Sequence, residues 1–67
     1  MEFRVEVERE EDGRWIAEVS ALPGVLVYGD SVDQAHAKAQ ALALRVLADR
    51  LDSGQATPFE SVSFAEA

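Results

Sequence analysis

The stretch from Trp15 to Ser31 constrains the fold most, because it contains two short strand patterns separated by a corner. The corner is Leu22-Pro23-Gly24. Proline cannot donate a hydrogen bond to a strand ladder, and the glycine after it tolerates backbone angles that other residues avoid. We therefore predict that one strand ends at this corner and that the next runs from Val25 to Tyr28. Gly29-Asp30-Ser31 then leads into a long helical segment.

The segment after Ser31 is predicted to be helical as far as about Leu51. Serine is favoured at the N-cap, and Gln34, three residues on, completes a capping box. Alanine and leucine, both strong helix formers, dominate the segment, and Gly54 is a typical stop signal. Apolar residues at helical spacing are expected to pack on the sheet, namely Val32, Ala35, Ala39, Leu42, Val46 and Leu47.

Residues 2–10 alternate between apolar and polar side chains, the pattern of a strand with one buried face. A second alternation follows an acidic turn, so the two strands should form a hairpin. A two-residue turn would set Val7 opposite Glu18 and mix apolar and polar side chains on one face. A three-residue loop, Glu11-Asp12-Gly13 with the glycine in the left-handed conformation, instead pairs Val7 with Ala17. We therefore predict the three-residue loop.

The order of the predicted elements is β-β-β-α-(β), which belongs to the α+β class. We expect a mainly antiparallel sheet of three to four strands, with the long helix on one face. A single domain, residues 1–67, accounts for the sequence, and its core lies in residues 2–52. Residues 53–67 are either a tail or a fourth strand, because Phe59 to Phe64 alternates only weakly.

One helix covers only one face of such a sheet, so the other face should be open. The hairpin pairing puts Glu6 directly opposite Glu18 on that open face. Ile16, Leu26 and Tyr28 are also expected there, as an apolar centre with a charged rim, which is typical of an association surface. The alternative is three scattered apolar side chains with no binding role. The interface is the favoured interpretation, because a core this small gains from oligomerisation.

The composition narrows the functional classes. The absence of cysteine excludes disulfides and thiolate zinc sites, which leaves oligomerisation as the usual support for a 67-residue core. The net charge of −7 argues against direct binding to nucleic acid or to an anionic membrane, and it favours a basic protein partner. No apolar run is long enough for a membrane span, and no signal peptide is visible. We therefore expect a cytoplasmic homo-oligomer, either a dimer or a tetramer.

Candidate catalytic chemistry is sparse in this sequence. The Glu6–Glu18 pair could share a proton or bind a divalent cation, but no third carboxylate is placed beside it, and a solvated face is the simpler interpretation. His36, the one histidine, has no assignable nucleophile or orienting carboxylate, so we expect a structural role at the surface or partly buried, in which it could hydrogen-bond with Asp33. Ser31 is explained by its capping role. We therefore expect no catalytic residue, no metal site and no cofactor.

A set of short motifs resembles the HicB family of antitoxin-like proteins. In chain order they are the Asp12-Gly13 turn, the aromatic strand start at Trp15, the Leu22-Pro23-Gly24 corner, the Gly29-Asp30-Ser31 step and the helix start at Asp33-Gln34-Ala35. Each motif alone is weak evidence for the family, but their order and spacing together are fairly specific to it. The resemblance covers about residues 2–52.

The resemblance implies a β-β-β-α-β fold, described for the family as a partial ribonuclease-H-like fold without catalytic carboxylates. It also implies self-association and a protein partner, a small basic toxin of the HicA type that cleaves messenger RNA. The expected function is then neutralisation of such a toxin by protein–protein contact. The alternative is a stand-alone oligomeric module that binds a small ligand or another protein. Structural roles fall to Gly13, Pro23, Gly24, Gly29, Asp30 and Ser31.

Three features depart from the family pattern. Family antitoxins usually carry a DNA-binding segment after this domain, and the sequence ends before one. His36 stands where a larger apolar residue is common, so its packing should differ. Val25 follows the proline-glycine corner at a position that is often cysteine in the family.

Overall fold

The computed structural model describes residues 1–66, so residue 67 of the predicted domain lies outside the described chain. The elements are β1 (Glu2–Arg9), β2 (Trp15–Glu18), β3 (Leu26–Gly29), α1 (Val32–Asp52) and β4 (Ser63–Glu66). The strands form one sheet in the order β3-β2-β1-β4. The predicted α+β class, with a single helix packed on the sheet, is confirmed. Within residues 1–66, no helix combines the length and the apolar character that a membrane crossing needs.

The β1–β2 hairpin has the register that the parity of its side chains predicts. Val7 lies opposite Ala17, so the apolar side chains share the face that the helix covers. The neighbouring pair, Glu6 opposite Glu18, lies on the other face. β2 also pairs antiparallel with β3, whose observed bounds are shifted by one residue from the predicted Val25–Tyr28.

The three-residue loop of the hairpin is confirmed. The Glu10 N–H donates to the Arg14 carbonyl oxygen at 2.7 Å, and the Gly13 N–H donates to the Glu10 carbonyl oxygen at 3.0 Å. Gly13 has a φ of 91°, which is the left-handed conformation expected of it. The loop therefore fixes which side chains of β1 and β2 share a face.

A fourth strand is present, but it begins later than the weak alternation from Phe59 to Phe64 indicated. β4 lies parallel to β1, and Phe64 lies opposite Phe3. The rings of these two phenylalanines stack with centroids 5.9 Å apart. The sheet is therefore mixed, with two antiparallel pairs and one parallel pair. Helix α1 carries the chain from the β3 edge of the sheet to the β4 edge.

Helix α1 begins with the predicted N-cap. The backbone N–H of Gln34 donates to Ser31 Oγ at 3.1 Å. The Gln34 side chain accepts from the backbone N–H of Asp30 at 2.6 Å, one residue before the N–H that a standard capping box would use. At the other end, Ser53 is the C-cap, and Gly54 follows with a φ of 78°. The helix therefore ends one residue later than the predicted Leu51.

The helix contributes mostly small side chains to the core. Its buried residues are Ala35, Ala39, Ala43 and Leu47, which follow a single i, i+4 row. Ala43 was not among the residues expected to face the sheet, and Val32, Leu42 and Val46 are only half-buried. The remaining buried apolar residues come from the sheet and its corner, namely Phe3, Val5, Ala17, Val19, Leu22 and Val25.

Candidate binding surface

The sheet face away from α1 is open and carries an apolar centre. Ile16 of β2 lies directly opposite Tyr28 of β3, and Leu26 lies two residues along the same strand. The side chains of Leu26 and Tyr28 are 46% and 39% exposed, whereas Ile16 is half-buried. The structure thus brings together the three apolar residues that the sequence predicted for this face. We call this surface, with the charged residues around it, the open sheet face.

Carboxylates lie beside the apolar centre. Glu18 shares β2 with Ile16 and lies opposite both Glu6 of β1 and Leu26 of β3, while Glu8 lies opposite Ile16. A shallow depression of about 320 Å³ is lined by Glu6, Val7, Glu8, Ile16 and Glu18. The same alternation places Glu2 and Arg4 of β1 on the open sheet face. Its strands therefore carry four glutamates, Glu2, Glu6, Glu8 and Glu18, and one arginine. The surface is therefore acidic as well as partly apolar.

Arg14 borders the open sheet face at its β3 end. Its guanidinium lies over the Tyr28 ring, 4.4 Å from the ring centroid, and its Nε donates to Asp12 Oδ2 at 2.7 Å. The backbone N–H of Arg14 also donates to Asp12 at 3.0 Å. These bonds, the backbone bond first, hold the pKa of Asp12 below its ordinary value. Tyr28 is therefore held in place from the hairpin loop, and its ring remains partly exposed.

The pair Glu6 and Glu18 lies on adjacent strands, as the sequence indicated. Within residues 1–66, no group of three or more histidine, cysteine, aspartate or glutamate side chains is placed to hold a metal ion. That the protein lacks catalysis and cofactors stays a prediction.

His36 is half-buried, and its observed polar neighbour is Glu66. Its Nδ1 lies 3.4 Å from Oε1 of Glu66, a residue of β4 that follows 30 positions later in the sequence. The Nε2 atom is buried and has no hydrogen-bond partner among the described residues. The contact joins the start of α1 to the edge strand, away from the open sheet face. His36 therefore packs between the helix and β4.

The motif residues position the open sheet face and do not form part of it. Gly24, after Pro23, has a φ of 90°, which suits the turn between β2 and β3. Gly29 is buried where β3 meets the helix start, and a Cβ atom there would lie 2.5 Å from the backbone nitrogen of Ala35. Ser31 caps the helix through its Oγ, and the backbone N–H of Asp30 donates to the Gln34 side chain. The structural roles predicted for these residues fit their surroundings.

A second concave surface lies at the other end of the sheet and was not predicted. This end groove has a volume of about 580 Å³ and is lined by Met1, Phe3, Ala21, Leu22, Leu47, Arg50, Gln55, Ala56, Thr57, Pro58 and Phe59. Its walls are mainly apolar, and its lining includes Arg50 but no acidic residue. The groove joins four distant segments of the chain, so no local sequence pattern could have identified it.

Comparisons with known proteins give no further assignment. No protein-family model matches the sequence, and neither curated proteins nor solved structures give a significant match.

Proposed function

We propose that this chain is a HicB-like antitoxin-type protein that binds and neutralises a small basic RNA-cleaving toxin in the cytoplasm. The open sheet face is the observation that carries the proposal. It combines the exposed apolar side chains of Leu26 and Tyr28 with the carboxylates of Glu6, Glu8 and Glu18. The resemblance to the HicB family rests on the order and spacing of the motifs between Asp12 and Ala35.

The charge of the open sheet face favours a basic partner over a second copy of the chain. Two identical faces packed together would bring carboxylates close to carboxylates, and like charges at an interface are unfavourable. A lysine- or arginine-rich protein would neutralise the same carboxylates while covering the apolar centre. The expectation from the sequence that the chain self-associates through this face is untested, and the charge of the face argues against it. The basic partner is the occupant that we propose.

Leu26→Asp tests this proposal when compared with Leu44→Asp. The tagged wild-type chain should recover a small basic protein from its own cell lysate, and that protein should cleave RNA when purified alone. An equimolar amount of the wild-type chain should stop the cleavage. Leu26→Asp should lose both binding and inhibition, because it adds a charge to the apolar centre. Leu44 is a matched control, because it is 50% exposed on the helix and lies away from the open sheet face.

Two outcomes would contradict the proposal. One is a partner that lacks nuclease activity or is unaffected by the chain. The other is inhibition that Leu26→Asp and Leu44→Asp weaken equally, which would remove the open sheet face from the binding site.

The end groove favours a second candidate function, the binding of a small ligand by a stand-alone module. Its volume is within the range of small-molecule sites, and its apolar walls with one arginine suit a small apolar carboxylate. Octanoate is a suitable probe. On titration it should shift the amide resonances of Phe59 and Arg50, and Arg50→Gln should weaken its binding. Shifts confined to the open sheet face, or none at all, would remove this candidate.

A further inference from the structure

Helix α1 is apolar on two sides, and residues 1–66 cover only one of them. The row of Ala35, Ala39, Ala43 and Leu47 is buried against the sheet. On the side turned away from the sheet, Leu44 and Leu51 are 50% and 38% exposed. A surface helix packed on one sheet is expected to be polar on its outer side. The two exposed leucines therefore lack the covering that their chemistry favours.

The exposed leucines belong to a regular pattern. Ala37, Ala41, Leu44, Ala48 and Leu51 succeed one another at spacings of four, three, four and three residues. This is the heptad spacing by which one helix presents a continuous apolar line to another. The five residues, which we call the outer seam, extend for about 21 Å along the helix. Alternating large and small side chains along such a line can interlock with a similar line.

We propose that the outer seam binds the outer seam of a second copy of this chain, with the two α1 helices antiparallel. In the antiparallel arrangement, Leu44 of each copy packs on Ala48 of the other, and Leu51 packs on Ala41. Each large side chain then faces a small one, which suits close packing of two helices. A parallel pair in register would instead stack leucine on leucine and alanine on alanine, leaving gaps between the leucine layers.

The charges beside the outer seam support the same arrangement. Lys38, Arg45 and Asp52 each follow a seam residue at the flanking heptad position, seven residues apart. In an antiparallel pair these flanking positions lie beside one another. The register that places leucine on alanine sets Lys38 of one copy beside Asp52 of the other, twice per dimer. It also sets Arg45 beside its own symmetry copy, an unfavourable contact that limits the affinity.

Leu44→Asp tests the proposed surface. Sedimentation equilibrium of the wild-type chain between about 1 μM and 1 mM should show a reversible monomer–dimer equilibrium, because the contact is short. Leu44→Asp should remove the dimer over this range without changing the circular dichroism of the fold. Leu26→Asp is the matched control on the sheet and should leave the dimer intact. A monomeric wild-type chain, or a dimer lost in Leu26→Asp and kept in Leu44→Asp, would overturn the proposal.

Asp52→Lys tests the register, because it separates a specific ion pair from the overall charge. Replacing −1 by +1 reduces the net charge of each copy from −7 to −5, which should favour association if only overall repulsion mattered. In the proposed register the new lysine faces Lys38, so the dimer should dissociate about tenfold more readily. The double variant Lys38→Asp with Asp52→Lys should restore it. Tighter association of Asp52→Lys alone would overturn the register.

Cross-linking gives a second measurement of the register. Because the sequence has no cysteine, an introduced cysteine is the one thiol of each copy that can react. Arg45→Cys places two thiols side by side at the symmetry axis, so a short bismaleimide reagent should join the two copies. Lys38→Cys places its two thiols about 21 Å apart along the helices, beyond the reach of the same reagent. Cross-linking of Lys38→Cys but not of Arg45→Cys would contradict the antiparallel pair.

Discussion

At the scale of single residues, Gly29 shows how a short motif serves the fold. It is buried between β3 and the start of α1, and the backbone of Ala35 occupies the space that a side chain would need. The residue is glycine because of this close approach, since its φ is not positive. The sequence marks the Gly29-Asp30-Ser31 step as a motif, but the reason for the glycine lies in the contact with the helix.

Gly29→Ala should lower the free energy of unfolding by about 2–3 kcal/mol, because the new Cβ atom would press the helix away from β3. Gly24→Ala is the matched control. Gly24 has a φ of 90°, and no atom of the described residues lies within 4 Å of an added Cβ, so the control should show only the backbone cost of about 1–2 kcal/mol. Urea unfolding of the two variants measures the difference. If Gly24→Ala proved the more damaging, the close approach at Gly29 would not explain its role.

At the scale of elements, local chemistry predicts some boundaries better than others. The hairpin register follows from side-chain parity, because only the three-residue loop keeps Val7 and Ala17 on one face. The N-cap at Ser31 follows from its side-chain oxygen. The bounds of β4 depend instead on packing against β1, whose partner residues lie 61 positions earlier in the sequence. The same holds for the contact of His36 with Glu66, which no local pattern indicates.

Sequence reasoning identified the open sheet face for the same local reason. Once the hairpin register is known, alternation assigns every side chain of β1 and β2 to a face. It missed the end groove, whose walls come from the start of β1, the corner, the C-terminal half of α1 and the segment after α1. It also missed Ala43. The predicted apolar stripe and the buried i, i+4 row share Ala35, Ala39 and Leu47, but Ala43 belongs to the row alone.

Phe64→Ala should loosen β4 selectively. Phe64 is half-buried and stacks on Phe3, and β4 is a four-residue edge strand that pairs with β1 alone. Loss of the ring should lower the stability of this strand by about 1–2 kcal/mol, so the backbone amides of β4 should exchange with solvent faster than those of β2. Phe59→Ala removes a half-buried ring outside β4 and is the control. If Phe64→Ala accelerated exchange equally in β4 and β2, or if Phe59→Ala accelerated exchange in β4 as much, Phe64 would not support this strand in particular.

At the scale of the whole molecule, the two proposed binding surfaces lie on opposite sides of the layer formed by sheet and helix. A dimer formed through the outer seam of α1 leaves both open sheet faces exposed. Each copy could then bind one basic partner without disturbing the other contact. This arrangement also explains how a chain with a small core and a net charge of −7 can gain support from a second copy while keeping its acidic face available.

The two contacts should respond to salt in opposite directions. Two copies with a charge of −7 each repel one another, so screening should favour the dimer, although it also weakens the Lys38–Asp52 pairs. Raising sodium chloride from 0.1 M to 1 M shortens the screening length from about 10 Å to about 3 Å, and we expect the dimer to become several-fold tighter. Attraction between the acidic open sheet face and a basic partner should weaken over the same range. Sedimentation equilibrium of the chain alone measures the first effect, and titration with the purified partner measures the second. If salt dissociated the dimer, the Lys38–Asp52 ion pairs would outweigh the overall repulsion. The double variant Lys38→Asp with Asp52→Lys, which keeps these pairs with reversed charges, should then also dissociate at high salt.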